Sequence, residues 1–455
     1  MIKQCEYFES SHITVKMDKL SWPPVPTAEI PLLDGLRLKI ITSLTRDDSY
    51  YGLSLLFPDM IKQTAGLPQW LRGGKDLTFK CLRDVRDKGS RTWLILHCIP
   101  RELLVSACLG TIAFDFHKIR DRPKTYGDTG GLGVYILGIC VAGRAGAWLT
   151  ASELQVLIDN LRRYIQGYHA YCHHGNNPPN VAACQLRDFV SRVDNAIGSH
   201  DSNSGPRFID KDSVLPSMAA LVKSLELRRV ESLRHDPSGQ TPLVQGPQYV
   251  GCSTSMSTRT QAYNVSANKS SLKKANKAYG LIVCLMSEQV LEPVAVTQPA
   301  VRLYDNSHLP AAEVLIAAMT NCYITQDGLN RTEAGGQFGR ATAADLRESE
   351  DYVMARETFL HDNLVQTCAD LNARNAFIQE FTNFEPLLDV EVHNDMTGLD
   401  EWLDEMRRDT DDLLHQRDEY IRQMQRMRED AEQLSAEVQV YKDLEEILSY
   451  LQGDS

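Results

Sequence analysis

LDEWLDEMRRDTDDLLHQRDEYIRQMQRMREDAEQLSAEVQVYKDLEEIL, residues Leu399 to Leu448, is the stretch around which the rest of the chain is read. Leu399, Met406, Leu413, Tyr420, Met427, Leu434, Tyr441 and Leu448 recur at an interval of seven, and none of them is charged. Four residues after successive members stand Leu403, Thr410, Arg417, Met424, Ala431, Val438 and Glu445. With the first series at d and the second at a, they draw the seam of a left-handed coiled coil, because this period keeps one stripe of a helix turned toward a partner. The run contains no Gly or Pro, and its other positions carry the Asp, Glu, Arg and Gln of an exposed helical face. At about 1.5 Å per residue such a helix is roughly 75 Å long, too long to stand alone in water. Arg417 and Thr410 put polar groups in the middle of the seam, where they lower stability and fix register or partner choice. The plainer alternative is a long amphipathic helix packed on its own domain; the unbroken uncharged d series favours pairing.

Upstream, Leu346, Val353, Leu360, Leu364, Leu371 and Ile378 have heptad character with one change of register. Pro386 and Gly398 then read as a break, leaving two long helices free to form a hairpin or to run on into partners. The region 391–455 is expected to be the coiled coil, and 279–390 a small β unit followed by helices. Within it, Leu281–Met286 and Val294–Tyr304 read as strands, and Pro310–Tyr323 as a helix with Pro near its start.

The front of the chain, residues 1–197, reads as an α+β globular domain. Leu32–Leu44, Leu77–Leu82 and Trp93–Ile99 are expected strands, and Pro100 opens a helix. Val134–Val141 (VYILGICV) is a nearly continuous apolar run, which suits a strand buried on both faces. Thr150-Ala151-Ser152-Glu153 is a capping box, and Leu154, Leu157, Ile158, Leu161 and Ile165 mark the buried face of the helix after it. A second helix is expected over Val181–Ile197. Residues 198–278 turn rich in Ser, Asn, Gly and Pro around one helix, Val214–Leu233, and read as a flexible basic linker. The expected fold class is therefore an α+β front domain, a flexible linker and a mostly α rear ending in a coiled coil.

Charge sharpens this division. Residues 1–280 hold 35 Lys and Arg against 25 Asp and Glu, whereas residues 281–455 hold 13 against 35. A basic front and an acidic rear attract each other, and a basic front also suits nucleic acid. The scattered cysteines form no framework, no apolar run has the length of a membrane span, and MIKQCEYFES lacks the apolar core of a signal peptide. An intracellular location, cytoplasm or nucleus, is expected, with no membrane partner. The glycosylation triplets at Asn264, Asn268 and Asn330 carry little weight without a secretory signal.

Motifs for chemistry are sparse. Asp128-Thr129-Gly130 matches the aspartic-protease tripeptide, but it follows a loop and has no second copy to share a proton. Gly127–Gly133 (GDTGGLG) precedes a strand and lacks both dinucleotide spacing and a Walker lysine. His169, Cys172 and His173 fall on one face if the Thr150 helix continues, and with Cys184 they have the donors for a tetrahedral zinc site. Histidines favouring the negative end of a helix explain them as well. Arg259, Lys269, Lys273, Lys274 and Lys277, flanked by Tyr263 and Tyr279, resemble a basic patch with stacking residues for single-stranded nucleic acid. Solvated lysines in a linker are the ordinary explanation. The leading expectation is a non-enzymatic, cofactor-free assembly or scaffold protein whose partner is a second copy or another coiled-coil protein. The alternative is an RNA- or DNA-binding protein.

Overall fold

A computed structural model describes residues 25–46, 49–72, 91–117, 131–172, 181–196, 205–263, 272, 276–303, 305–335, 342–344, 346–347, 359–391 and 422, with side chains up to 380 in the last helix. The heptad stretch 399–448, Arg422 apart, lies outside the described residues, as do Leu77–Leu82 and Asp128-Thr129-Gly130. Helices α1 (Gly35–Arg46), α2 (Tyr51–Ser54), α3 (Phe57–Ala65), α4 (Gln69–Arg72), α5 (Arg91–His97), α6 (Arg101–Leu109) and α7 (Ile112–Phe116) precede strand β1 (Gly133–Val141). Then come α8 (Ala151–Cys172), α9 (Val181–Asn195), α10 (Leu215–His235), β2 (Tyr249–Ser253), α11 (Met256–Gln261), α12 (Lys277–Glu288), β3 (Pro293–Arg302), α13 (Leu309–Thr320) and α14 (Phe359–Glu391). The chain is mostly helical, with one three-stranded antiparallel sheet among the described residues, and divides into two compact units, 1–372 and 373–455.

In the first unit β1 is the middle strand, flanked by β2 and β3, and all of its residues are buried. That matches the continuous apolar run. Gly138 lets α7 close over it, since a Cβ there would stand 2.9 Å from the Ala113 nitrogen. Helix α8 starts at a reciprocal capping box: the Thr150 hydroxyl accepts from the Glu153 N–H at 3.2 Å, and the Glu153 carboxylate accepts from the Thr150 N–H at 2.9 Å. Its buried face runs Leu154, Leu157, Ile158, Leu161, Tyr164 and Tyr168, and α9 and α10 pack against it. One hydrophobic core runs from Ile40 to Ala334, with Leu346 and Leu364 packed against it.

Several sequence expectations are corrected. Leu32–Leu44 is not a strand but α1: Arg37, Ile40, Ile41 and Leu44 are buried on one helical face, and the Asp34 carboxylate accepts from the Arg37 N–H at 2.8 Å. Trp93–Ile99 is α5 and its following turn, and Leu281–Met286 is the middle of α12, whose cap residue Asn276 accepts from Ala278 and Tyr279. The Leu281–Met286 run is buried throughout, and Trp93–Ile99 is buried apart from Leu94 and Cys98, so an apolar run alone does not separate strand from helix. The front domain does not close at residue 197 around its own core, because the core continues well past it. Much of the expected linker is structured. α10, β2 and α11 lie in it, and Val250, Met256 and Tyr263 are fully buried. Pro386 does not break α14, which runs to Glu391 at the cost of one backbone hydrogen bond. The strand expected at Val294–Tyr304 is present as β3.

Buried ions tie the ends of this core together. Arg37 donates to both carboxylate oxygens of Asp327, at 2.8 and 2.7 Å, and Arg228 approaches the same carboxylate at 3.6 Å. Burial lowers the Arg37 guanidinium, yet the charge and hydrogen bonds of Asp327 leave it above its ordinary value. Arg228, with burial dominant and Asp327 only partly offsetting it, is brought down to about 10. Gln245, also fully buried, donates to the carbonyls of Leu32 and Leu109 at 2.8 Å each.

Candidate functional site

The seat of residues 359–372, the part of α14 that belongs to the first unit, is the site with the most specific chemistry. A helix end leaves carbonyls without intrahelical partners, and the end of α5 is such a place. The Asn363 side chain supplies donors, reaching the His97 carbonyl at 2.8 Å and the Ile99 carbonyl at 3.2 Å. Ile99 also accepts from the Tyr50 hydroxyl at 2.8 Å. One turn along α14, the Thr367 hydroxyl lies 3.0 Å from His97 Nε2 and accepts from the Tyr50 N–H at 3.3 Å. Asp370 accepts from the Ser49 hydroxyl. Asn363 and Thr367 are buried, whereas Leu360, Leu364 and Leu371 beside them are half-buried. The seat is therefore polar at its centre and apolar at its flanks.

The partners define the protonation state of His97. Its Nδ1 faces the Trp93 carbonyl at 2.8 Å, and a carbonyl only accepts, so Nδ1 carries the proton. Nε2 is then the acceptor for Thr367. His97 is fully buried, its ring 3.9 Å from that of Trp93 and 5.5 Å from that of Tyr50. Burial holds its pKa below the ordinary value, opposed by the Trp93 carbonyl and reinforced by the charge of Arg101. An imidazolium would gain about 2 kcal/mol or somewhat more from the indole face. Burying a cation costs several kcal/mol, so the neutral form prevails.

The zinc candidates are placed in part. His169 and Cys172 lie in the last turn of α8, and Cys184 is on α9, both cysteines exposed; His173 lies outside the described residues. Among the described residues no three potential metal ligands gather. Of the basic patch, Lys269, Lys273 and Lys274 lie outside the described residues, while Lys277 pairs with Asp210 at 2.6 Å. Its intended stacking residues are not available to a base: Tyr263 and Tyr279 are fully buried, their rings 5.2 Å apart, and Arg259 lies over Tyr263 at 5.7 Å. Asn330 is no glycosylation acceptor in this fold. It is buried, with its side-chain amide accepting from the Val250 N–H and donating to the Val250 carbonyl, at 2.9 and 2.8 Å.

A second feature is an open groove of about 410 Å³ between α8, α9 and the end of α12. Arg163 lies over the Phe189 ring at 4.4 Å, and Arg192 pairs with Glu288 at 3.0 Å. Glu153, also on its rim, is held below the ordinary carboxylate range by its bonds to Arg144. The chain matches no protein-family model, no curated protein and no solved structure. Among the described residues no helix is long and apolar enough to cross a membrane. His97, Asn363 and Thr367 were not singled out by motif. Their signal is positional: Asn363 and Thr367 are polar residues spaced by four on a stripe otherwise made of Leu360, Leu364 and Leu371.

Proposed function

We propose that this chain is an assembly protein that acts by association, not catalysis, joining copies of itself through its acidic C-terminal segment. The observation that carries this is the sequence series Leu399, Met406, Leu413, Tyr420, Met427, Leu434, Tyr441 and Leu448, spaced by seven and uncharged at every member. A stripe of that period on a helix suits a second helix laid along it. Tethering identical bodies raises their effective concentration, so that weak contacts between bodies act together.

Placing Asp at two d positions, Leu413→Asp with Leu434→Asp, tests the seam in the full chain. Sedimentation velocity is expected to show the wild-type assembly fall to the single-chain mass, with the far-ultraviolet signal of the first unit retained. An unchanged mass distribution rejects the seam.

The basic front half supports a second reading, binding to RNA or DNA, although the buried Tyr263 and Tyr279 remove two stacking residues from it. Log affinity for single-stranded oligonucleotide would then fall linearly with log salt concentration; salt-independent binding rejects that reading.

A further inference from the structure

We infer that the seat of residues 359–372 is an acid-released latch: a proton taken up by His97 frees this segment from the rest of the first unit and uncovers Leu360, Leu364 and Leu371. Every hydrogen-bonding position of neutral His97 is used, Nδ1 donating to Trp93 and Nε2 accepting from Thr367. The Thr367 hydroxyl in turn accepts from the N–H of Tyr50, the residue before α2, so one ring nitrogen couples α5, the start of α2 and α14. A proton on Nε2 removes the acceptor that Thr367 uses. The hydroxyl has the Asn363 carbonyl one turn back as an alternative, but the imidazolium stays sealed from water.

The charged and titratable groups around the ring do not compensate it. Arg101, from α6, lies over the Tyr50 ring at 5.1 Å and repels a second cation. Tyr50 and the neighbouring Cys98 are pushed up by burial, Cys98 to about 12, so both are neutral. Asp370, an acid on α14, accepts from the Ser49 hydroxyl. Release of the segment relieves burial of the His97 ring, which stays on α5, so the ring binds a proton more readily than in the seated form, whose pKa is held below the ordinary 6.5. The seat is thus fully stable above that value and weakens as pH falls from it toward the lower value of the buried ring.

The consequence for assembly rests on the proposed function. Leu364, Leu371 and Ile378 are spaced by seven, so the residues that seat the helix also carry the spacing of a coiled-coil seam. While latched, Leu364 and Leu371 are unavailable to a second copy.

Hydrogen–deuterium exchange of the full chain between pH 7.5 and 5.5 tests the latch on a single chain, without reference to assembly. After correction for intrinsic rates, amides of 360–372 should open about tenfold more for each pH unit below 6.5. His97→Gln, which does not titrate, should abolish that slope; Asp370→Asn should keep it. A wild-type helix with no pH dependence, or a slope that survives His97→Gln, overturns the latch. Should His97→Gln not fold, exchange at the His97 ring C–H of the wild type gives its midpoint. A midpoint below 6.5 that tracks helix opening supports the latch, and one at or above 6.5 overturns it. Sedimentation at both pH values reads assembly separately, so a working latch in a chain that stays monomeric overturns the assembly reading alone.

Discussion

Asp327 is the carboxylate that two fully buried arginines, Arg37 and Arg228, share. Its value lies less in attraction gained than in the loss that follows its removal, since an uncompensated buried cation costs more than the pair contributes. Asp327→Asn keeps the shape and removes the charge. It is expected to lower unfolding free energy by about 3–5 kcal/mol, measured by urea titration; a loss under about 1 kcal/mol would show that Asp34 or solvent already neutralises the cluster. Little of this was legible in advance. Asp327 and Arg37 are far apart in sequence, and no local pattern distinguishes them from surface charges. Asn330 makes the same point: it reads as a glycosylation triplet and is instead a substitute strand residue for the backbone of Val250.

Helix α8 was legible because an end signal and a period of 3.6 residues coincide in it, and α13 because a Pro stands in its first turn. The end signals are the capping box at Thr150 and Pro310. Where one signal was missing, the reading failed. The apolar runs in α5 and α12 have no polar face to reveal the helical period, and β2 is five residues in a Ser- and Gly-rich context. Caps that would have corrected two of the errors, Asp34 and Asn276, stood in plain view. Contacts between elements were hidden entirely. At Gly167 a Cβ would stand 2.3 Å from Val190 Cγ2, so the crossing of α8 and α9 depends on its absence. Gly167→Ala is expected to cost about 1–3 kcal/mol in chemical denaturation. Combining it with Val190→Ala should recover part of that loss, because the clashing methyl is gone. Strictly additive losses would place the strain elsewhere.

For the whole molecule, the sequence separates a basic front from an acidic rear, and the structure gathers most of the front and the middle into one core that extends to Leu364. The intended boundaries at 197 and 278 do not coincide with breaks in that core, because buried anchors such as Tyr263 and Leu272 sit among polar residues that dominate the composition. A composition average does not register a few large side chains. What composition and period did convey is the contrast between this core and a rear whose apolar residues recur in heptads, and the proposed assembly rests on that contrast. Multi-angle light scattering of the wild-type full chain, over a tenfold dilution series at pH 6 and 7.5, tests the claim most directly. A mass at a whole multiple of the single chain, two or more, is the predicted result. A single-chain mass throughout the series contradicts it.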